Sequence, residues 1–272
     1  LDKTVISRAS IMAFARDFRR EGLLSRRAVL RGLWLQLGYL RVGASPEVLA
    51  RARRSVLAVT RGWQQDQVRR VVAASLASAI DPLTYVEARS LIDAHRRSGR
   101  PVYLVSASPA EIVEPLAAHL GTDGALASVA RVDAEGRYTG ELATYAFGDT
   151  KATLMRQLAA REGIDLATSY AYTDSATDLP MLEAVGHPVA VNPDRALRRV
   201  AEERGWDIVR FEATLAAAPP VEGTAADHAA AAVARRAVPW ARWAAAGMAA
   251  VAVASGGGGA AIAWRHRSQL VP

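Results

Sequence analysis

The stretch SYAYTDSATDLPMLEAVGHPVAVNP, residues 169–193, decides the fold. It opens with a short apolar run over 169–173 that ends at Asp174 and passes through a polar loop to Asp178. A helix starts near Leu179 and Pro180, and a second apolar run over 188–191 precedes Asn192 and Pro193. Runs this short, apolar throughout and bounded by turn residues, read as strands buried on both faces, as in a parallel sheet covered by helices.

Working outward, the alternation recurs. Residues 101–105, PVYLV between Gly99 and Ser106, predict another buried strand, and Ser108, Pro109 and Glu111 after it read as a capping box with Pro at the first helical position. Residues 129–145 alternate around Asp133 and Gly136 and predict a β-hairpin. Asp149 is expected to cap a helix over 151–162 that Gly163 closes, and Asn192–Pro193 to start one that ends at Gly205. Residues 10–95 read as amphipathic, arginine-studded helices. Together these make an α/β fold, a doubly wound Rossmann-like parallel sheet with an inserted helical segment.

Composition narrows the class. With 272 residues, 51% hydrophobic and 22% charged, the chain is too apolar for a disordered protein. The absence of cysteine excludes disulfide scaffolds, thiolate zinc sites and cysteine nucleophiles. The net charge is +7, and 32 of the 34 basic residues are arginine, the lysines being Lys3 and Lys151. Residues 8–70 hold fourteen arginines against four carboxylates, an excess of ten positive charges. No nucleic-acid module accompanies this basicity, so nucleic acid is not the expected partner; an anionic membrane surface, an anionic substrate or plainly solvated helix faces remain.

Residues 216–234, rich in Ala and Pro, read as part of a linker, and 244–263 run twenty residues without a charge. Trp240, Trp243 and Trp264 edge that run, with arginines on both sides. About twenty apolar residues suffice to cross a bilayer, so a C-terminal apolar, membrane-spanning helix over 239–266 is expected. A flexible tail is the other reading, because Gly256 to Gly259 oppose a helix.

In such a fold ligands sit beyond the carboxyl ends of the strands. Ser106 lies at one of those ends, and Asp174 and Asp178 follow another. A hydroxyl beside backbone N–H groups suits phosphate, and two carboxylates flanking a loop suit a hard cation such as Mg²⁺. Lys151 stands in a first helical turn, where a cation opposes the helix dipole unless an anion is near. Taken singly, these residues are equally a turn hydroxyl, two helix caps and a surface lysine.

These residues, in order, resemble the haloacid dehalogenase superfamily in its phosphoserine-phosphatase-like subfamily IB branch. Leu1-Asp2-Lys3-Thr4 matches the last four positions of Asp-x-Asp-x-Thr, Ser106 the Ser/Thr motif, Lys151 the Lys motif and Asp174-Ser-Ala-Thr-Asp178 the acidic loop. The resemblance spans 1–212. It implies a catalytic core of 1–9 and 96–212 with its first strand truncated, a helical cap over 10–95, a linker over 213–238 and the membrane helix beyond. It further implies a Mg²⁺-dependent phosphomonoester phosphatase working through an aspartyl-phosphate. Asp2 would be general acid/base and, through its carbonyl, a metal ligand; Asp174 would ligate Mg²⁺ with Asp178 supporting. Ser106, Ala107 and Lys151 would hold the phosphate, Lys151 acting in catalysis, while Thr4 and Ser175 would brace the loops.

The chain departs from the family pattern twice. The attacking Asp would be the residue immediately before Leu1, so a gene product extending upstream is expected. Ala9 stands where phosphoserine phosphatases carry a substrate-binding Glu, so the expected substrate is a small phosphorylated molecule other than phosphoserine. The expected location is cytoplasmic, anchored to the membrane by the C-terminus. A non-catalytic membrane-tethered binding or regulatory protein with this fold, and a phosphotransferase to an acceptor other than water, are the alternatives.

Overall fold

In the computed structural model, residues 1–7, 10–24, 46–216 and 259–263 are described. Ahead of the first long strand lie the helices α1 (Ser10–Ala13), α2 (Ala15–Arg20), α3 (Pro46–Thr60), α4 (Gln65–Ile80) and α5 (Val86–Arg97). The sheet domain follows as β1 (Val102–Pro109), α6 (Ala110–Leu120), β2 (Gly124–Val132), β3 (Tyr138–Thr144), α7 (Asp149–Glu162) and β4 (Tyr170–Thr173). It continues through α8 (Leu179–Leu182), β5 (His187–Val191), α9 (Arg195–Arg204), β6 (Asp207–Val209) and β7 (Gly259–Ala263).

The described strands form one sheet in the order β3-β2-β1-β7-β4-β5-β6. β1 pairs with β2, β4 with β5 and β5 with β6 in parallel. Such pairs need crossover helices on the sheet faces, and the strands are apolar for that reason: β4 is buried along its whole length, and Val102, Leu104 and Val105 of β1 are fully buried. The predicted hairpin is β2–β3, antiparallel around Asp133 and Gly136. Gly163, at φ 68°, closes α7 in the left-handed conformation that glycine adopts without strain. On α4 the buried residues Val68, Val71, Val72, Leu76 and Ile80 recur at helical spacing, giving one apolar face. The chain between α3 and α4 is tied to the hairpin: Gly62 N–H donates to Tyr138 O (2.8 Å), Tyr138 N–H to Trp63 O (3.0 Å) and Gln65 N–H to Gly136 O (3.0 Å).

Three expectations need correction. The capping box at Ser108 and Glu111 does not form. β1 runs through Pro109, which itself takes the N-cap position in extended conformation, so Ser108 sits one residue too early to cap. The Ser108 N–H turns back to Ser106 Oγ (3.1 Å), and the Glu111 carboxylate accepts from Gln65 Nε2 (2.8 Å). Asp149 is the first residue of α7 rather than its cap, which is Gly148.

The third concerns the C-terminal membrane helix expected over 239–266. Of that span only Gly259–Ala263 is described, and it is a strand, antiparallel to both β1 and β4. Glycine and a slot between two strands offering ladder hydrogen bonds both favour extended backbone over helix. Residues 239–258 and 264–266 lie outside the described residues. Among the described residues, no helix is long and apolar enough to cross a membrane. Of the expected linker, the first residues are held to the core: Val86 N–H donates to Ala213 O (2.9 Å) and Leu215 N–H to Thr84 O (2.9 Å).

Candidate active site

The site is built where strand ends meet helix starts, around an ion pair that water does not reach. Lys151, in the first turn of α7, and Asp178, closing the short turn Ala176–Asp178 after β4, are both fully buried. Lys151 Nζ donates to Asp178 Oδ1 at 2.7 Å, and the last residue of β4, Thr173, donates its hydroxyl to Asp178 Oδ2 at 2.7 Å. Both Asp178 oxygens are thereby committed. Burial lowers the Lys151 ammonium from its ordinary value, while Asp178, Asp174 and Asp2 pull it back up. One cation thus stands among three carboxylates, and the macrodipole objection to a lysine at this position is answered by them.

Asp174 follows β4 and is buried. Its Oδ1 accepts from the Thr4 hydroxyl at 3.3 Å. Desolvation first, and the Asp178 charge in the same sense, push its carboxyl up to about 8. Its main-chain carbonyl accepts from Asp194 N–H (2.7 Å), and Asp194 in return accepts from Ala176 N–H (3.0 Å) while capping α9 through Leu197 N–H (2.7 Å). The acidic loop is therefore clamped to the next helix start.

Asp2 and Thr4 reach this point from a tight turn. Val5 and Ile6 N–H both donate to Leu1 O at 3.0 Å, and Lys3 between them takes φ 67°, uncommon for a side-chain-bearing residue. Asp2 is buried, its carboxyl is pushed up by desolvation above all, and its Oδ1 accepts from Ser10 N–H at 2.7 Å. Ser10 also shares a hydroxyl–hydroxyl bond of 3.2 Å with Ser108.

Ser106 is buried within β1, its Oγ accepting from Ser108 N–H (3.1 Å). The carbonyl of Ala107 accepts from Ser128 Oγ (2.8 Å), which accepts in turn from Ala146 N–H (3.1 Å), in the loop leading to Lys151. Ser175 serves its own turn, accepting from Thr177 N–H (3.4 Å). Hydrogen bonds and mutual charge effects therefore gather Asp2, Thr4, Lys151, Asp174 and Asp178, while Ser106 and Ala107 join through Ser108 and Ser128. Among the described residues, no three acidic or histidine side chains are arranged to hold a metal ion between them.

Four contributors escape a reading of the sequence: Ser10, Thr173, Ser128 and Asp194. Asp194 left a signal, as an Asp one residue after Asn192–Pro193 and just before a helix, a common capping placement. The other three act through contacts that only the fold creates.

A profile of the haloacid dehalogenase-like hydrolases matches residues 1–183. A Streptomyces azureus protein named "Inhibition of morphological differentiation protein" is 51% identical over 211 residues, which are 78% of this chain and 76% of that one. A Mycobacterium tuberculosis protein whose name describes a probable phosphatase is 47% identical over 211 residues, 78% of this chain and 73% of its own. A solved structure from Bordetella pertussis Tohama I, of unknown function, superposes with a TM-score of 0.66 at 28% identity, covering 77% of this chain and 95% of that one.

Proposed function

The chain belongs to the haloacid dehalogenase-like hydrolase family, and from that premise we propose that it hydrolyses small phosphomonoesters, with Mg²⁺ as cofactor and phosphoserine not its preferred substrate. The observation that carries the proposal is the fully buried Lys151–Asp178 pair set beside Asp174 and Asp2. A cation held without water, with further carboxylates close by, is an arrangement for a dianionic group and a hard metal ion rather than for stability alone, since a buried pair is weak evidence for stability.

The donor set fits Mg²⁺. Asp174 offers a carboxylate, a hard oxygen ligand that is pushed up because burial leaves its charge poorly compensated, and Asp2 would offer its main-chain carbonyl, its carboxylate being kept for proton transfer. Mg²⁺ characteristically takes only one or two carboxylates and leaves its other positions to water and substrate phosphate. With both oxygens of Asp178 engaged, the ligands would be Asp174 and Asp2, and Asp178 would act by holding Lys151. When bound, the ion offsets negative charge on the phosphoryl oxygens.

The chain's own residues then divide the work. Lys151 and the turn at Ser106 and Ala107 receive the phosphoryl oxygens. The attacking carboxylate of the family's motif would be two positions before Asp2, so the reaction is proposed for a protein that carries an Asp there. That carboxylate bonds to phosphorus as the ester oxygen leaves, and Asp2 gives the leaving oxygen a proton. Water next attacks the aspartyl-phosphate, Asp2 takes its proton back, and inorganic phosphate departs. The upward-pushed carboxyl of Asp2 suits a group that must hold and return a proton. Ala9, in the place of the family's substrate-binding Glu, leaves a substrate ammonium without its partner.

The test is a panel of phosphomonoesters assayed with wild-type protein and Asp2→Asn. Turnover of several esters, with phosphoserine no better than the rest and Asp2→Asn near background, is the expected result. A kcat/KM for phosphoserine far above every other ester would overturn the substrate reading, and undiminished Asp2→Asn activity would overturn the mechanism.

A further inference from the structure

Ser10 lies at the first residue of the helical insert, eight positions beyond Asp2, and is completely buried. Its two polar groups point to two different parts of the site. The amide N–H donates to Asp2 Oδ1 at 2.7 Å, and the hydroxyl pairs at 3.2 Å with that of Ser108, two residues beyond Ser106. Ser108 is itself tied back to Ser106 by its N–H (3.1 Å), so one line of hydrogen bonds runs from the Asp2 carboxylate through Ser10 and Ser108 to the phosphate-receiving turn.

We propose that Ser10 is a positioning residue for the reaction, fixing the Asp2 carboxylate against the Ser106–Ser108 turn. The inference rests on the assignment of Asp2 as acid/base under Proposed function. Committing Oδ1 to a main-chain donor leaves Oδ2 for proton transfer. It also prevents the carboxylate from rotating away between donating a proton to the leaving group and recovering one from water. The Ser10–Ser108 bond sets the distance between that carboxylate and the turn that holds the phosphate. Misplacement of a reacting group by about 1 Å costs rate far more than binding, so the signature of this role is a fall in kcat with KM little changed. Ser10 also begins the insert, so placement of the insert and alignment of Asp2 share one residue.

The test uses the full-length protein, an aryl phosphate and Mg²⁺. Ser10→Ala and Ser108→Ala each remove the hydroxyl pair, and each should lower kcat by about 3- to 10-fold. The double variant should lose no more than either single one, because both act on one bond. KM and the melting temperature should stay near wild type. Ser10→Pro also deletes the N–H, at a helix position where proline is tolerated, and should lower kcat by about 10- to 100-fold, the range for a hydrogen bond to a charged group. Additive single effects, loss of kcat only in proportion to loss of fold, or wild-type kcat in all variants would overturn the inference while leaving the phosphatase reading intact. An inactive wild-type protein would overturn both. Should Ser10→Pro fail to fold, the two alanine variants decide alone.

Discussion

Replacing Lys151 by Met removes the buried cation while keeping the length and apolar stem of the side chain. In the wild type, Lys151 and Asp178 are both 0% exposed and 2.7 Å apart, so the variant leaves Asp178 buried as a charge with only the Thr173 hydroxyl to satisfy it. Breaking a buried pair from one side costs about 3–5 kcal/mol. For a domain of this size, 1 kcal/mol moves the melting temperature by roughly 2–4 °C, so Lys151→Met should melt roughly 6–20 °C lower. Adding Asp178→Asn removes the stranded charge while keeping an acceptor for Thr173, and should recover most of that loss. Phosphatase activity should be absent from both variants, because the double one still lacks the cation proposed to receive the phosphoryl group. Urea and thermal unfolding in the presence of a chelator give the first quantity, and phosphate release with Mg²⁺ gives the second. A single variant within about 1 kcal/mol of wild type, the upper end for exposed pairs, would refute the buried-pair argument. Restored activity in the double variant would refute the role given to Lys151.

Two further outcomes follow from the buried titratable groups. Asp174, pushed up to about 8 by burial first, must lose its proton to ligate a metal; the rise in melting temperature on adding Mg²⁺ should therefore be larger above pH 8 than at pH 6 and should vanish in Asp174→Asn, as differential scanning fluorimetry will show. His95 is buried between Tyr172 OH (3.3 Å) and Arg100 (3.2 Å), and burial foremost, then Arg100, lowers it well below 6.5. Folded, it stays neutral where the unfolded chain takes up a proton, so its stabilisation is complete above pH 6.5 and is lost as the pH falls below that value. Urea unfolding from pH 7.5 to 5 should show a decline that is shallower in His95→Gln; an equal slope in the two proteins would contradict this assignment.

Much of this fold is written locally. The runs that became β1, β4 and β5 are short and largely apolar, a pattern that suits strands covered on both faces, and the Asp133–Gly136 turn specified the hairpin between its alternating flanks. Glycine closures at Gly163 and Gly205 are equally local, set by the left-handed conformation each adopts. What could not be read depends on partners distant in sequence. Glu111 looked like half of a capping box because its local spacing is right, but its carboxylate finds Gln65, 46 residues away. The apolar run around Ile262 looked like a helix on hydropathy, yet residues 259–263 pair with β1 and β4. Thr173 precedes Asp174 as an ordinary strand residue, and its hydroxyl became informative only once Asp178 folded back onto it. Asp2, Lys151 and the Asp174–Asp178 loop could be singled out in the sequence because the resemblance fixes their spacing; the groups bonded to them, Ser10 and Thr173 among them, carry no such pattern.

The most direct measurement is phosphate release from a generic aryl phosphate by the protein bearing the residue before Leu1, with Mg²⁺ and with a chelator. Release should require both Mg²⁺ and that upstream residue, and Lys151→Met should abolish it. A folded, Mg²⁺-loaded protein that releases no phosphate from any monoester, or one equally active without Lys151, would contradict the proposed function.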